Sequence, residues 1–337
     1  MNTLTPMGAQ RSFEDRLLDE LLAVQAKMKA PAPPRRHRVR VFALTGVAAA
    51  VAVVVLLQVL PGSVNTPQAA SAAAEFQKLS AAALSTPAAV LAPGQYVYTE
   101  EISNSGPPSH LGSSAYNVEF DVKTEFWIAA NGSGRSIFTL FNLTFPTARD
   151  RAAWVAQGSP DLAPLISRSS TFGPGNYGPL KVDEFTLPTQ GAQLSKVIAS
   201  LMARRTSARP GTGEYSILEF GYIGQLLHER NAPPKVRAAL LALAGSLPGI
   251  VLVGPTTAPE GMSGVGISTS VQHGFSNELV FDPTTGALVA YEQWQTDSAG
   301  NRSLEYWTSY LVSGVVNNTS TTIPVARPSS TTTNASS

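Results

Sequence analysis

Residues 41–60 form one continuous apolar run without a charged side chain, in which only Thr45 and Gln58 are polar. A helix of this length spans about 30 Å, the thickness of the hydrocarbon core of a bilayer. Four arginines precede the run (Arg35, Arg36, Arg38 and Arg40), whereas the first charge after it is Glu75. Because positive charge marks the cytoplasmic flank, the pattern predicts a single-pass transmembrane helix with a cytoplasmic N-terminus and an extracytoplasmic C-terminus.

A cleaved signal peptide is the alternative interpretation of the same run, because residues 70–72 resemble a cleavage site. Signal peptides carry an apolar run of about 7–15 residues behind a short basic region. Here 40 residues precede a longer run. The chain is therefore predicted to stay anchored in the cell membrane, and cleavage near residue 71 is the competing expectation.

Residues 12–28 show a second apolar pattern, the stripe of an amphipathic helix within the predicted cytoplasmic segment 1–40. Ser12 and Asp15 fit an N-terminal cap, and Pro31 ends the pattern. A helix this short cannot bury its stripe alone. The stripe is predicted to dock a cytoplasmic protein, with weak association with the membrane surface as the alternative; its docking residues are Leu17, Leu18, Leu21 and Met28.

Beyond a predicted linker at 61–74, the pattern predicts one α+β domain over residues 75–316. Alternating apolar and polar positions predict antiparallel strands near 94–102, 116–130, 135–145, 250–253, 264–271, 278–281, 288–295 and 304–311. Helical spacing predicts helices near 72–84, 190–205, 215–230 and 233–247, with a shorter one after Pro146. Residues 158–180 are predicted to form a long loop, and the Ser/Thr-rich segment 317–337 is predicted to be disordered.

The amino-acid composition excludes several kinds of catalytic, metal-binding and disulfide-stabilised site. The chain has 337 residues, no cysteine and four histidines, which excludes disulfides, thiolate nucleophiles and thiolate metal sites. Its net charge of +1 does not favour a nucleic-acid binder. The charge is divided: residues 1–40 carry eight basic and four acidic side chains, and the rest carries 16 basic and 19 acidic ones.

Two sequence motifs resemble sites without having the required context. Residues 173–178 match the glycine spacing of a dinucleotide loop, but Pro179 follows where a helix should begin. His228 and Glu229 lack a second histidine four residues on, so they are interpreted as a solvated pair at a helix end. The sequence accordingly predicts no catalytic, metal-binding or cofactor-binding residue and no cofactor.

Aromatic side chains on the predicted strands form the one candidate binding surface that the pattern indicates in the extracytoplasmic domain. Alternate strand residues face opposite ways, so some aromatics must leave the core. The pattern favours cross-strand aromatic packing, and an apolar ligand groove is the alternative; the candidate groove residues are Tyr96, Tyr98, Trp127, Trp294 and Trp307.

Several turn and helix segments share one further likeness: 94–98, Trp154 with 158–160, 187–189, 223–227, 237–240, 247–250 and 278–286. They resemble an uncharacterised actinobacterial family of single-pass membrane proteins, which are often encoded beside sigma factors, and the likeness covers roughly residues 70–312 and the layout of the anchor. It implies a LolA-like or RseB-like ectodomain, a curved half-barrel of antiparallel strands packed on helices. Residues 258–262 depart from the family pattern, and the family supplies no catalytic residues.

Together these patterns predict a non-enzymatic, membrane-anchored protein for envelope sensing or signalling. Its expected partners are the lipid bilayer, a cytoplasmic protein (a sigma factor, by the resemblance) at residues 12–28, and a lipid or lipoprotein ligand outside. A tethered carrier or chaperone for lipid or lipoprotein is one alternative. A cell-wall hydrolase is the other, and nucleic acid is not expected as a partner.

Overall fold

A computed structural model describes residues 67–87, 90–104, 113–162, 167–176, 182–183, 186–228 and 232–325. The predicted cytoplasmic helix at 12–28, with Leu17, Leu18, Leu21 and Met28, and the predicted transmembrane helix at 41–60 lie outside these residues. Within the described ranges, no helix is long and apolar enough to cross a membrane.

The described residues build one large antiparallel sheet, as the alternating pattern predicts. Its nine strands run in the order β4-β3-β2-β1-β9-β8-β7-β6-β5. Their bounds are β1 Tyr96–Asn104, β2 Glu119–Ala129, β3 Gly134–Thr144, β4 Ser167–Phe172, β5 Ile250–Thr257, β6 Ser263–Thr269, β7 Phe275–Phe281, β8 Leu288–Thr296 and β9 Arg302–Val316. The sheet is open, with β4 and β5 at its edges, and the half-barrel curvature stays a prediction.

Five helices in the described part of the chain complete the α+β fold. They are α1 Pro67–Ser85, α2 Ala148–Ala156, α3 Gly191–Met202, α4 Gly213–His228 and α5 Pro234–Gly245. Helices α1, α3 and α4 pack around α5, while α1 also contacts β5 and α4 contacts β6, β7 and β8. The main core therefore lies between these helices and the β5–β9 half of the sheet.

Helix α1 enters this core through one aromatic side chain. The Phe76 ring meets Phe281 of β7 and Phe220 of α4 edge-on, at centroid distances of 5.7 and 6.3 Å. The hairpin between β7 and β8 also approaches α1 closely, because a Cβ atom on Gly286 would lie 2.5 Å from the Leu79 carbonyl oxygen. Gly286 has φ +68°, so the turn needs glycine for conformation as well as for space.

The end of α1 is held by a buried cation. Arg237 of α5 is 7% exposed, and its Nη2 donates to the carbonyl oxygens of Ala83 at 3.3 Å and Thr86 at 2.8 Å. The last carbonyls of a helix lack partners within the helix and carry partial negative charge. Arg237 therefore satisfies these carbonyls and fixes α1 against α5.

Three segments differ from the sequence expectations. Helix α1 begins at Pro67, so part of the predicted linker at 61–74 is helical. Strand β4 lies within the predicted loop at 158–180 and pairs with β3; its mostly exposed, Ser-rich sequence has no apolar alternation. Residues 317–325, in the segment predicted to be disordered, contact the sheet through Trp127 and Arg135. Residues 326–337 lie outside the described part.

Candidate functional site

The two faces of the sheet have different environments. On β7, Leu279 and Phe281 point into the main helix core, whereas Glu278 and Val280 point the opposite way. We call the side that carries Glu278 and Val280 the far face. Strand pairing extends this assignment across the sheet, from Glu292 of β8 to Trp307 of β9 and onward to β1, β2 and β3.

All five predicted groove residues lie on the far face, but they lie at two ends of it. Tyr98 of β1 is the cross-strand partner of Trp127 of β2, and Tyr96 is two residues along on the same side of β1. Tyr96 pairs with Val316 of β9, and Trp307 lies nine residues before Val316 on the same strand. Nine residues of an extended strand span about 30 Å, so Trp307 is far from Tyr96. Trp294 lies near that second end of the face. The structure brings three of the residues together, and a groove that joins all five stays a prediction.

The three residues that meet form an aromatic patch. Its centre is buried: Tyr98 is 0% and Trp127 is 1% exposed, with ring centroids 5.1 Å apart. Apolar neighbours complete the patch (Tyr96, Ile137, Val312 and Val316). These side chains form a hydrophobic cluster that is separate from the main helix core.

A C-terminal segment covers the aromatic patch. Residues 317–325, here called the strap, follow β9 and return across the far face. The Trp127 indole Nε1 donates to the Thr321 carbonyl oxygen at 2.7 Å, and Arg135 Nη1 donates to the Thr319 carbonyl oxygen at 3.2 Å. The Ile323 side chain fills space that Gly314 leaves open, since a Cβ atom there would lie 2.5 Å from Ile323 Cδ1.

Charged groups border the patch. The Tyr98 hydroxyl lies 2.7 Å from Glu100 Oε2 and 3.0 Å from Glu125 Oε1, and Lys123 Nζ lies 3.1 Å from Glu125 Oε2. Burial, followed by the neighbouring Glu100, raises the pKa of Tyr98 well above its usual value. Tyr98 therefore keeps its proton and serves as a hydrogen-bond donor to the glutamates.

A pair of buried carboxyl groups lies at another part of the far face. Glu278 of β7 and Glu292 of β8 are directly opposed and are 2% and 3% exposed. Burial, and then the negative charge of Glu278, raises the pKa of Glu292 to about 7. Burial also raises the pKa of Glu278. Because two like charges in one dry site repel, the pair favours a state that retains a proton near neutral pH.

Neighbouring side chains hold the carboxyl pair in place. Arg302 Nη2 lies 3.5 Å from Glu278 Oε2, and its guanidinium stacks 4.4 Å from the centre of the Trp294 ring. The Trp294 indole Nε1 donates to Glu292 Oε2 at 3.0 Å. Trp294, a predicted groove residue, therefore binds a carboxyl group and a cation of its own chain.

A residue without a side chain lies beside the carboxyl pair, and a turn covers another part of the far face. A Cβ atom on Gly266 of β6 would lie 2.5 Å from Glu278 Oε1, so a side chain at this position would have to displace the Glu278 carboxyl group. Nearby, the turn at 258–262 covers Val280 and Ala290, and Ser309 Oγ donates to the Pro259 carbonyl oxygen at 2.7 Å. The turn therefore covers part of the far face.

His228 has a structural partner that the sequence does not reveal. Its Nε2 lies 2.9 Å from Glu101 Oε2 of β1, and its ring stacks on Tyr310 of β9 at 3.6 Å. The side chain of His228 is 13% exposed, so the interpretation as a solvated helix-end pair is wrong. Glu101 is far away in the sequence, and strand pairing alone brings it to the end of α4.

Metal-ligand groups and pockets are the other features of the described residues that could indicate a binding site. No group of three His, Asp or Glu side chains there is arranged to hold a metal ion. A pocket of about 200 Å³ lies beside the start of α4, lined by Ser216, Thr269, Ser270, Gln272 and neighbouring glycines. This volume is below the roughly 300–1,000 Å³ of typical small-molecule sites, and none of the predicted groove residues lines it.

Comparison with known proteins gives matches among solved structures alone. No family model and no curated protein matches the chain. Among solved structures it is similar to MucB in the Pseudomonas aeruginosa MucA/MucB complex, at 13% identity and a TM-score of 0.25, over 73% of this chain and 57% of that one. A second MucB structure, in complex with periplasmic MucA, matches at 10% identity and a TM-score of 0.25, covering 73% and 56%.

A third structure, of MucB alone, matches at 13% identity and a TM-score of 0.26, covering 73% of this chain and 58% of MucB. The chain thus spans a little over half the length of the MucB chains. Membership of the actinobacterial family stays a prediction of the sequence.

Proposed function

We propose that this chain is a non-enzymatic, membrane-anchored sensing protein that binds another protein outside the membrane and signals to a cytoplasmic partner. The observation that carries the proposal is the aromatic patch. Tyr98 and Trp127 form a cluster separate from the main core, and a short polar strap covers them. Large aromatic side chains gathered on such a face are typical of protein-binding surfaces.

The layout of the sequence supplies the other half of the proposal. The apolar run at 41–60 would tether the domain, and the stripe at 12–28 would dock a cytoplasmic protein, for which a sigma factor is our choice. A chain of this kind connects a binding event on one side of the membrane to a partner on the other. The expected localisation is the cell membrane.

Photo-crosslinking in intact cells tests the extracytoplasmic part. With a photoreactive amino acid at half-buried Tyr96, beside the patch, we expect a covalent adduct with an extracytoplasmic protein. The same amino acid at Gln77, an exposed position on α1, is the matched control and should give no such adduct. An adduct with lipid at Tyr96 would favour the tethered carrier, and the absence of any specific adduct would refute binding at this face.

Deletion of residues 1–30 from the full chain tests the cytoplasmic part. The deletion removes the apolar stripe but retains the arginine cluster and the run at 41–60. We expect the cytoplasmic partner recovered with the intact protein to be lost, while the protein remains in the membrane fraction. A Leu17→Asp, Leu21→Asp variant provides a gentler change on the same helical face. Unchanged recovery of the partner from both variants would contradict docking at this helix.

A further inference from the structure

We propose that the aromatic patch is a binding site for a short peptide segment, and that the strap is its displaceable resident. The incoming ligand would be a segment of the extracytoplasmic partner, with an aliphatic side chain in the place of Ile323. This inference rests on the proposed function, because it names the kind of partner that the patch recognises. It also assigns to residues 317–325 the task of occupying the site when that partner is absent.

The strap is recognised mainly through its backbone. Trp127 and Arg135 donate to the carbonyl oxygens of Thr321 and Thr319, two residues apart. Residues 319 and 320 form a turn, in which Asn318 Oδ1 accepts from the Ser320 backbone N–H and from the hydroxyl groups of Ser320 and Thr321. The two acceptors are main-chain groups, so sequences that can form such a turn can offer them. Peptide grooves of this kind take affinity from main-chain hydrogen bonds and specificity from a few side-chain pockets.

One side chain supplies the specificity. Ile323, two residues after Thr321, rests where Gly314 of β9 lacks a side chain, and it belongs to the cluster with Tyr98, Trp127 and Val316. A competing peptide should place a branched aliphatic residue two positions after the carbonyl that accepts from Trp127.

The strap has the properties of a weak, replaceable ligand. The side chains of Asn318, Ser320, Thr321 and Thr322 are exposed, and Ile323 is half-buried. The segment carries no charge that could pair with Glu100, Glu125 or Arg135 at the site. Its position directly after β9 supplies a high effective concentration, of about millimolar order for short connections. A partner must therefore bind more tightly than the tethered strap, for example by burying a larger anchor, in order to displace it.

Binding of a synthetic peptide to the full-length protein in detergent or nanodiscs tests the proposal. The probe is a fluorescein-labelled peptide of residues 317–325, and its anisotropy is measured against the protein. Ile323→Asp in the protein should vacate the site, because the aspartate side chain cannot be buried unpaired against the patch. We expect this variant to bind the peptide at least about tenfold more tightly than the unaltered protein, in which the tethered strap competes.

A second pair of variants assigns the binding to the patch. Adding Trp127→Phe to Ile323→Asp removes the indole N–H donor and should weaken peptide binding about fivefold, the effect of one hydrogen bond. Trp154→Phe in the same background is the matched control, since Trp154 Nε1 donates to the Pro160 carbonyl oxygen beyond α2. That control should leave peptide affinity unchanged. A peptide with aspartate in place of isoleucine should not bind.

A variant truncated after Val316 is a second way to vacate the site, in case Ile323→Asp does not fold. It removes the strap without introducing a charge. Failure of both proteins to bind the peptide would overturn the proposal. If crosslinking at Tyr96 still captured a protein partner, the proposed function would stand and only the peptide-exchange inference would fall. Peptide binding without a crosslinked partner would support the peptide site and count against the proposed function.

Discussion

A Phe76→Ala variant of the full-length protein is expected to lose about 3–5 kcal/mol of its free energy of unfolding. Phe76 is 1% exposed and is the α1 side chain that meets both Phe220 of α4 and Phe281 of β7. Its removal leaves a cavity between helix and sheet, because Gly245 beside the ring has no side chain to fill the space. The loss should appear as a lower urea midpoint with a similar slope.

The matched control for Phe76 is its neighbour Gln77, which is exposed on the same helix. Gln77→Ala should change the free energy of unfolding by no more than about 0.5 kcal/mol. Phe76→Leu retains part of the apolar volume and should lie between the two. Equal stability of the Phe76→Ala and Gln77→Ala variants would show that α1 does not hold the core together as the structure indicates.

The stability of the folded domain is expected to fall as the pH rises from about 5 to 8. The folded-state pKa of Glu292 is raised from the usual 4.5 to about 7, first by burial and then by Glu278. The folded protein therefore holds a proton that the unfolded chain has already released. The stability contributed by this proton is fully present below about pH 4.5 and is lost as the pH rises through about 7; its size is at most about 3 kcal/mol.

A Glu292→Gln variant isolates this contribution from other titrating groups. Glutamine resembles the protonated acid, and its carbonyl oxygen can still accept from Trp294 Nε1. We expect the variant to be more stable than the unaltered protein at pH 8 and to show a flatter pH dependence of the urea midpoint. Glu119→Gln, at an exposed position of β2, is the control. If the urea midpoint of Glu292→Gln depended on pH as steeply as that of the unaltered protein, retention of a proton by the Glu278–Glu292 pair would be refuted.

Most of the fold can be predicted because its elements carry strong local patterns. Strands β1, β2, β3 and β9 alternate apolar and polar residues, and α3, α4 and α5 repeat apolar residues at helical spacing. Strand β4 carries no such pattern. It exists because β3 offers it a partner, with Ser136 Oγ and Ser170 Oγ 2.9 Å apart across the pair. The strap is ordered for a similar reason, since Trp127 and Arg135 bind its carbonyl groups.

The site is less predictable than the fold because it depends on strand register. Alternation alone places Tyr96 and Tyr98 on one face, but only the pairing of β1 with β2 brings Trp127 to Tyr98. The opposition of Glu278 and Glu292 likewise follows from the β7–β8 register. Each glutamate has a polar neighbour in its strand, Asn277 or Gln293, so the local sequence does not identify either one as a buried carboxyl group.

The central position of β9 has a consequence for the order in which the chain can fold. Strand β9 lies between β1 and β8, so the first four strands cannot join the last five until residues 302–316 are available. Before then β1 and β8 both present unpaired edges, which are prone to association with other chains. A nascent chain emerging from its N-terminus would carry these two open edges until almost the whole domain has been synthesised, a period during which a chaperone would be most useful.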